Sequence, residues 1–599
     1  MTSPYGPQRV LFSEGRWVLW LVGLGIILIL TANIGKVLAG HMPGNDDMLR
    51  LQQVRDLMSG QDWFNTDQSR FLTPEGGDIH WSRLPDLFLS AIIMLLRPLL
   101  GAEGAEKAAL ILWPLSLMAV TLAGAAMALH RLGANLAGQA VGLAFIGFSS
   151  AALNFTPGRV DHHNLIVALM SIALAATLSP RLSWRSGLIA AFCSAAMLST
   201  AIESLPYVVV IVFTLGVFWV INGAAERPRL MVFGVSLVWF AFAFYALDAP
   251  GIGNERFVCD AYGRAHLASF AAGGLAMVVL AIALPLLNDW GKRLVASMIA
   301  GGCVIALFIN IDPSCFSDPY AGLSEQARTV WLNVVSEAHS FDQVWETAPD
   351  RAIARYGFVT AGLIAAGMAV WYAPPGLRLA RSAFMLLLLV SVAVTVWQVR
   401  GATFSHLFAA MAAGLIIGIL FDTWRKSRET KPLIALVACA IAISPTSWIT
   451  AGQVYKQSFR ASETPAETAS TCADPAFYLA LKADEPRNIF SSIDLGMEIL
   501  VATNHNVYSG PYHRNVGAIE RAIDVFLKPA DEAHPALLNA GADYLLFCTT
   551  LPETKRYARL SPNGFAADLN AGNIPEWLQP LTISSDGNVT LYRISPLAD

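Results

Sequence analysis

Long apolar runs separated by short polar loops dominate this chain. The first runs from Trp17 to Leu38, behind Arg9 and Arg16. No small-residue cleavage site follows it, and it is too long for the core of a signal peptide, so it reads as an uncleaved span. Further runs lie near 107–129, 135–153, 163–179, 186–203, 205–222, 230–247, 266–287, 294–310, 355–373, 382–398, 402–421 and 433–450. Each approaches the ~20 residues that cross a bilayer, which predicts thirteen spans. The stretch 84–100 is apolar but interrupted by Pro85, Asp86, Arg97 and Pro98, and reads as a helix at the interface.

The distribution of basic residues orients the spans. With 84–100 kept from crossing, one side receives Arg9, Arg16, Arg131, Arg181, Arg185, Arg227, Arg229, Lys292, Arg293, Arg378, Arg381 and the run Arg425 to Lys431. That side is the cytoplasm. Loops 39–106, 154–162, 248–265 and 311–354, and everything after 450, then lie outside. Counting 84–100 as a span would put Asp161 inside and split the basic pattern.

Beyond 450 the pattern changes. Residues 451–471 are rich in Ser, Thr, Ala and Glu and read as a linker. From Cys472 the composition is that of a water-facing domain, with β-rich runs at 488–492, 506–509, 542–548 and 588–593 and a helical stretch from Val516 to Leu527. The expected organisation is a membrane domain over 1–450, the linker, and a periplasmic α/β domain over 472–599. The expected location is a bacterial inner membrane, with the N-terminus cytoplasmic.

Composition agrees with this reading. The 599 residues are 55% hydrophobic and 14% charged, far below the ~25% charged of water-soluble domains. The net charge of −4 and the scatter of basic residues among short loops give no nucleic-acid surface. Cys193, Cys303 and Cys439 lie in apolar runs. Cys259, Cys315, Cys472 and Cys548 lie in outer polar segments, where Cys259–Cys315 and Cys472–Cys548 are candidate disulfides; four free thiols are the alternative.

Candidate chemistry collects in the outer loops. The first holds Asn45-Asp46-Asp47, the second Asp161-His162-His163, and the third Asp312, Asp318, Glu325, Glu337 and His339. An Asp pair before a helix serves as an N-cap in many proteins, and a His pair at a span entry can be interfacial polarity. Acids at a membrane edge are costly without a role, however. Carboxylates with imidazole suit a divalent cation, Mg²⁺ or Mn²⁺, which could offset charge on a departing lipid phosphate. Arg400 lies in a tight outer turn, against the positive-inside trend, and its rigid fork of donors suits a phosphate.

These motifs resemble those of the oligosaccharyltransferase catalytic subunits of archaea and bacteria. Asn45-Asp46-Asp47 leading to Arg55-Asp56 resembles their first-loop acidic motif. Gly158-Arg159-Val160-Asp161-His162-His163 resembles the archaeal Asp-His-His form of the second. Val334-Val335-Ser336-Glu337 resembles their Ser-Val-Ser-Glu motif, and Arg400 matches the arginine of a late outer turn. The resemblance implies a mostly α GT-C glycosyltransferase fold with about thirteen transmembrane helices and an outer C-terminal domain. It implies Asp46, Asp161, His163 and Glu337 as catalytic and metal residues, with Arg400 on the donor phosphate. Spacing to Arg55-Asp56 favours Asp46 over Asp47. Further substrate contacts are expected at Asp47, His162, Arg159, Asp494, His513 and Arg514.

There is one departure. Where that family carries Trp-Trp-Asp-Tyr-Gly to read its peptide acceptor, this chain has Ser491-Ser492-Ile493-Asp494-Leu495-Gly496. That argues against asparagine-linked protein glycosylation. The expected activity is transfer of a sugar or glycan from a polyprenyl phosphate or diphosphate to a glycan, lipid or protein acceptor at the outer face of the bilayer. Two rivals stay open. One is a metal-independent GT-C transferase acting on lipid A or another glycolipid. The other is a flippase for lipid-linked sugars, although the chain lacks the paired internal repeats common in transporters.

Overall fold

The computed structural model describes residues 15–72, 77–179, 184–248, 259–316, 323–459, 472, 474–482 and 485–596. Arg9, Arg181, Asp318 and residues 460–471 of the expected linker lie outside the described residues.

Each of the thirteen apolar runs contains a helix. Nine described helices are long and apolar enough to cross a bilayer, and the bent pair Thr430–Ala442 and Pro445–Phe459 makes a tenth. The remaining three, Leu136–Gly147, His163–Thr177 and Trp184–Thr200, have 12, 15 and 17 residues. They fall short of a full crossing by length because their outer ends give way to the turns that carry polar side chains. The chain is a multi-pass membrane protein.

The stretch 84–100 is helical, as expected, and a kink at Gly101 separates it from the next span. The two helices follow each other directly over Leu84–Arg131, 48 residues in all, with the break at Gly101, where φ is +72°. Only glycine adopts that backbone readily. A straight helix of this length would be about 70 Å long, more than twice a bilayer core, so the break sets the course of its first part.

Lipid-facing and protein-facing helices differ sharply. In Trp290–Ile311 none of the most apolar window is buried, whereas 83% is buried in Val399–Ser427. Small residues permit that central position. A Cβ on Gly138 would stand 2.5 Å from the Gly414 carbonyl oxygen, so Leu136–Gly147 and Ala402–Ser427 pack backbone to backbone, as small-residue stripes allow in membranes.

A buried charge cluster holds the first outer loop in place. Arg50 and Arg83 both bond Asp86, at 2.8 and 3.0 Å, with all three side chains shielded from solvent. Asp248 accepts from the Arg83 backbone N–H at 3.1 Å and from Ser199 Oγ at 2.6 Å. The loop is thus tied to the first turn of Leu84–Arg131 and to the helix Trp184–Thr200.

The C-terminal domain is a five-stranded sheet with helices, in strand order β2-β1-β3-β5-β4. The strands are β1 (Asn488–Ser491), β2 (Asn506–Val507), β3 (Tyr544–Cys548), β4 (Leu578–Ile583) and β5 (Val589–Ile594). β1 runs parallel to β2 and β3; β5 is antiparallel to β3 and β4. The sequence pattern misses β4, an edge strand carrying Pro580 and mostly exposed side chains. Helix Val516–Leu527 falls where expected. Both candidate disulfides form, Cys259–Cys315 and Cys472–Cys548, with Cα atoms 5.0 and 5.9 Å apart.

The domain docks on the first outer loop. Phe71 bridges Val507 at the β2 edge, and Leu72 N–H donates to the Val507 carbonyl at 2.8 Å. Arg55 Nη1 donates to the Val501 carbonyl at 2.7 Å. Met48, Leu49, Phe71 and Trp81 share one apolar cluster with Ile489, Val507 and Tyr512. A sheet edge and an apolar face are thereby covered together.

Candidate active site

Between the membrane domain and the C-terminal domain lies a cavity of ≈1280 Å³. Its walls come from the first outer loop, the turns around 162 and 203, the segments 259–262 and 330–338, the Arg400 turn and the C-terminal domain.

The two acids of the first loop separate by direction. Helix Asn45–Met58 carries both in its first turn, where the positive helix end favours carboxylates. Asp47 turns inward. It accepts from Arg159 Nη1 at 2.9 Å and from the backbone N–H groups of Val160 and Asp161 at 2.8 and 3.1 Å. Its side chain is shielded from solvent and does not line the cavity, so the expected substrate contact at Asp47 is corrected to a joint between two loops. Arg159 is its partner and also lines the cavity. Asp46 does face the cavity. Desolvation by the enclosing chain, then the charges of Asp161 and Glu337, push its pKa up to about 7.

The second loop reaches the cavity through a tight turn. Gly158 has φ +93°, and a Cβ there would meet Pro43 Cδ at 2.9 Å; this position requires glycine. Asp161 then pairs with both imidazoles. His162 Nδ1 lies 2.6 Å from Oδ1, and His163 Nδ1 bonds Oδ2. The two rings stack with centroids 4.4 Å apart. Burial opposes ionisation of Asp161, but His162 and His163 hold its carboxyl well below the usual range.

One member of the site was not legible as such in the sequence. Glu203 sits in the turn Ile202–Ser204 between two apolar helices. Its Oε1 is 3.2 Å from His163 Nε2 and 3.7 Å from His162 Nε2, and Oε2 is 3.8 Å from Arg400 Nη1. The available signal was a lone acid in an otherwise apolar stretch, which in a membrane protein marks function.

Arg400 and Glu337 are brought together by backbone. Arg400 N–H donates to the Glu337 carbonyl at 3.1 Å, and Val399 N–H to the His339 carbonyl at 2.8 Å. Arg400 Nε donates to Gln398 Oε1 at 2.9 Å. The third outer loop is thus strapped to the Arg400 turn, and Glu337 lines the cavity.

The metal-competent grouping differs from the expected one. Among the described residues, Asp161, His162 and His163 offer ligand atoms within 4.8 Å of one another. Asp46 and Glu337 line the same cavity outside that group, coupled to it by charge. Four acids with two imidazoles are donor chemistry that fits a divalent cation, because such an ion would offset the charges of Asp161 and Glu337 that add to burial in raising Asp46.

The C-terminal wall carries Ile493, Asp494, Tyr512, His513, Glu553, Arg556 and Tyr557. Tyr512 Oη donates to the Asn45 carbonyl at 3.1 Å. Glu553 accepts from the N–H groups of Ile493 and Asp494 at 2.8 and 2.9 Å and from Tyr557 Oη at 2.5 Å. Burial, then Asp494, push Glu553 up to about 7. Asp494 is likewise raised by burial. Arg514, expected as a substrate contact, does not line the cavity and pairs instead with Asp260 and Asp78, each at 2.8 Å.

No protein-family model and no curated protein matches this sequence. Solved structures match over nearly its whole length. The Archaeoglobus fulgidus oligosaccharyltransferase AglB, in complex with an inhibitory peptide and a dolichol-phosphate, aligns with a TM-score of 0.67 at 13% identity, covering 97% of this chain and 75% of that one. The oligosaccharyltransferase of the same organism, tethered to an acceptor peptide containing the sequon Asn-Val-Thr, aligns at 0.65 and 13% identity, covering 97% and 74%. Its complex with Zn and sulfate aligns at 0.62 and 15% identity, covering 96% and 73%. The chain therefore has the GT-C fold of the oligosaccharyltransferases, in a multi-pass membrane protein.

Proposed function

We propose that this protein is a membrane glycosyltransferase. It takes a sugar or glycan from a polyprenyl phosphate or diphosphate and passes it to an acceptor at the outer face of a bacterial inner membrane. The observation that carries the reading is the convergence of Asp46, His163, Glu203, Glu337 and Arg400 on one cavity between the membrane domain and the C-terminal domain, with Asp161 buried behind it and bonded to His163.

In this reading Arg400 binds the donor phosphate through its guanidinium fork, and Glu203 and the two histidines hold that end of the site in register. Asp161 and His163, with Asp46 or Glu337, would hold a Mg²⁺ or Mn²⁺ ion. The ion would supply positive charge for the leaving phosphate. Asp46 orients the acceptor and accepts its proton at the carboxylate as the acceptor bonds the anomeric carbon and the bond from that carbon to the lipid phosphate breaks. The lipid phosphate leaves without an acid. A peptide acceptor is disfavoured by Ser492, Ile493 and Leu495 standing where aromatic residues would be needed. The acid-lined wall at Asp494 and Glu553 suits donors such as sugar hydroxyls.

One observation favours a second reading. His162 and His163 already lie between Asp161 and Glu203 and can offset those acids as imidazolium ions without a metal. The purified protein, incubated with labelled polyprenyl-linked sugar and membrane glycolipid, tests both. Label transfer abolished by Asp161→Asn and by chelation supports the metal-assisted transferase. Transfer that survives chelation supports the second reading. Unchanged donor with every acceptor class sinks both.

A further inference from the structure

The cavity has a second cluster of ligand-type side chains, from three other parts of the chain. His80 ends the first outer loop, Asp260 precedes the helix Arg264–Ile282, and His513 belongs to the C-terminal domain. All three line the cavity. Each offers a ligand atom, and these atoms lie within 4.8 Å of one another. His513 Nε2 is 2.8 Å from Asp260 Oδ2, and the His80 and His513 rings meet edge to face at 4.8 Å between centroids.

We infer that His80, Asp260 and His513 bind a second divalent ion, Zn²⁺ by ligand chemistry, which clamps the C-terminal domain onto the membrane domain. Two imidazoles and one carboxylate are a three-ligand set that zinc accepts in tetrahedral geometry with one position left over. Magnesium and calcium prefer all-oxygen shells. Tetrahedral ligands at ~2.0 Å from zinc stand roughly 3.3 Å apart, so small side-chain rotations close the set.

The surroundings are those of a built site. Cys259, immediately before Asp260, is fixed to Cys315 by a disulfide. Arg514 Nε and Nη2 donate to the two Asp260 oxygens at 2.9 and 2.8 Å, and Nη1 to Asp78 at 2.8 Å. Such outer partners orient a ligating carboxylate. Helical periodicity cannot produce this set, because its members come from three separate segments. Only the docked domains assemble it, so the ion's binding energy adds to docking.

The test uses the full chain in detergent, stripped with chelator and then dialysed against Zn²⁺ at pH 7.5. Bound zinc is counted by elemental analysis, and the melting temperature is recorded with and without the ion. The wild type is expected to rise in melting temperature with zinc. The His80→Ala, His513→Ala double variant loses one equivalent relative to wild type and loses that rise. The Asp161→Asn, His163→Ala double variant retains this equivalent, which separates the clamp from the ion proposed at Asp161. His80→Gln with His513→Gln, checked for a monodisperse elution profile, covers a folding failure of the alanine pair. A wild type that takes up no zinc, or folded variants holding as much as wild type, overturns the inference.

Discussion

At the scale of single residues, Glu203 carries the sharpest expectation. It touches both imidazoles and Arg400 from a turn with no other charge. Replacing a group that positions ligating or phosphate-binding side chains typically costs 10–100-fold. Glu203→Gln should lower transfer from a labelled polyprenyl-linked donor by about that factor, with expression and elution profile unchanged; full activity would remove Glu203 from the site. Glu553 makes a different prediction. Its folded-state pKa of about 7 lies above the ordinary carboxylate value, so the folded protein favours the protonated form. The stability it contributes is complete below pH ~4.3, the unfolded pKa, and is lost as pH rises through about 7. The melting temperature should fall over that window, and Glu553→Gln should flatten this part of the profile. A wild-type profile unchanged by the substitution would count against the assignment.

At the scale of elements, the cluster Arg50–Asp86–Arg83 joins the helix Asn45–Met58 to the start of Leu84–Arg131. Removing one partner of a buried ion pair leaves uncompensated charge and costs ~3–5 kcal/mol. Asp86→Ala should therefore lower the melting temperature in detergent markedly, and Asp86→Asn less, since a carbonyl oxygen still accepts from one guanidinium. Equal melting of Asp86→Ala and wild type would mean that other contacts hold the loop. The joint bears on the cavity because Asp46 lies one turn before Arg50, at the N-terminal end of the same helix. Asp47, tied to Arg159 and the backbone of Val160 and Asp161, performs a parallel task at that end. The neighbouring acids thus divide: one fastens the second loop to the first, and the other is left facing the cavity.

At the scale of the whole molecule, the cavity exists only where two domains meet. The first outer loop extends the sheet edge at β2 and shares an apolar cluster with the C-terminal domain, so opening that contact would open the cavity wall. The proposed orientation is testable in the intact cell. Arg425, Lys426 and Arg428 end the central helix Ala402–Ser427 or follow it, and the positive-inside rule assigns them to the cytoplasm. A membrane-impermeant thiol reagent added to spheroplasts should label Asn588→Cys in the C-terminal domain and leave Arg428→Cys unlabelled until the membrane is broken. The reverse pattern would invert the topology and move the proposed chemistry to the cytoplasmic face.

The spans, the C-terminal α/β domain and the two disulfides were legible in the primary structure. Apolar length, β-rich patterning and the grouping of cysteines in outer segments are local properties. The motifs bearing Asp46, Asp161, His163, Glu337 and Arg400 were legible for the same reason: each is a few contiguous residues of unusual polarity between apolar runs. Direction and partnership were not. Nothing local separates Asp46 from Asp47; the difference arises because Arg159 and two backbone N–H groups, over a hundred residues away in sequence, capture one carboxylate. Glu203 joined the site only because two apolar helices end beside the histidines. The edge strand β4 stayed hidden because an exposed strand with a proline needs no apolar alternation. The sequence by itself thus determined which segments are apolar enough to cross a membrane and which residue types gather in the loops between them. Tertiary structure alone decided which side chains share the cavity, because contacts between distant segments depend on how helices and domains pack.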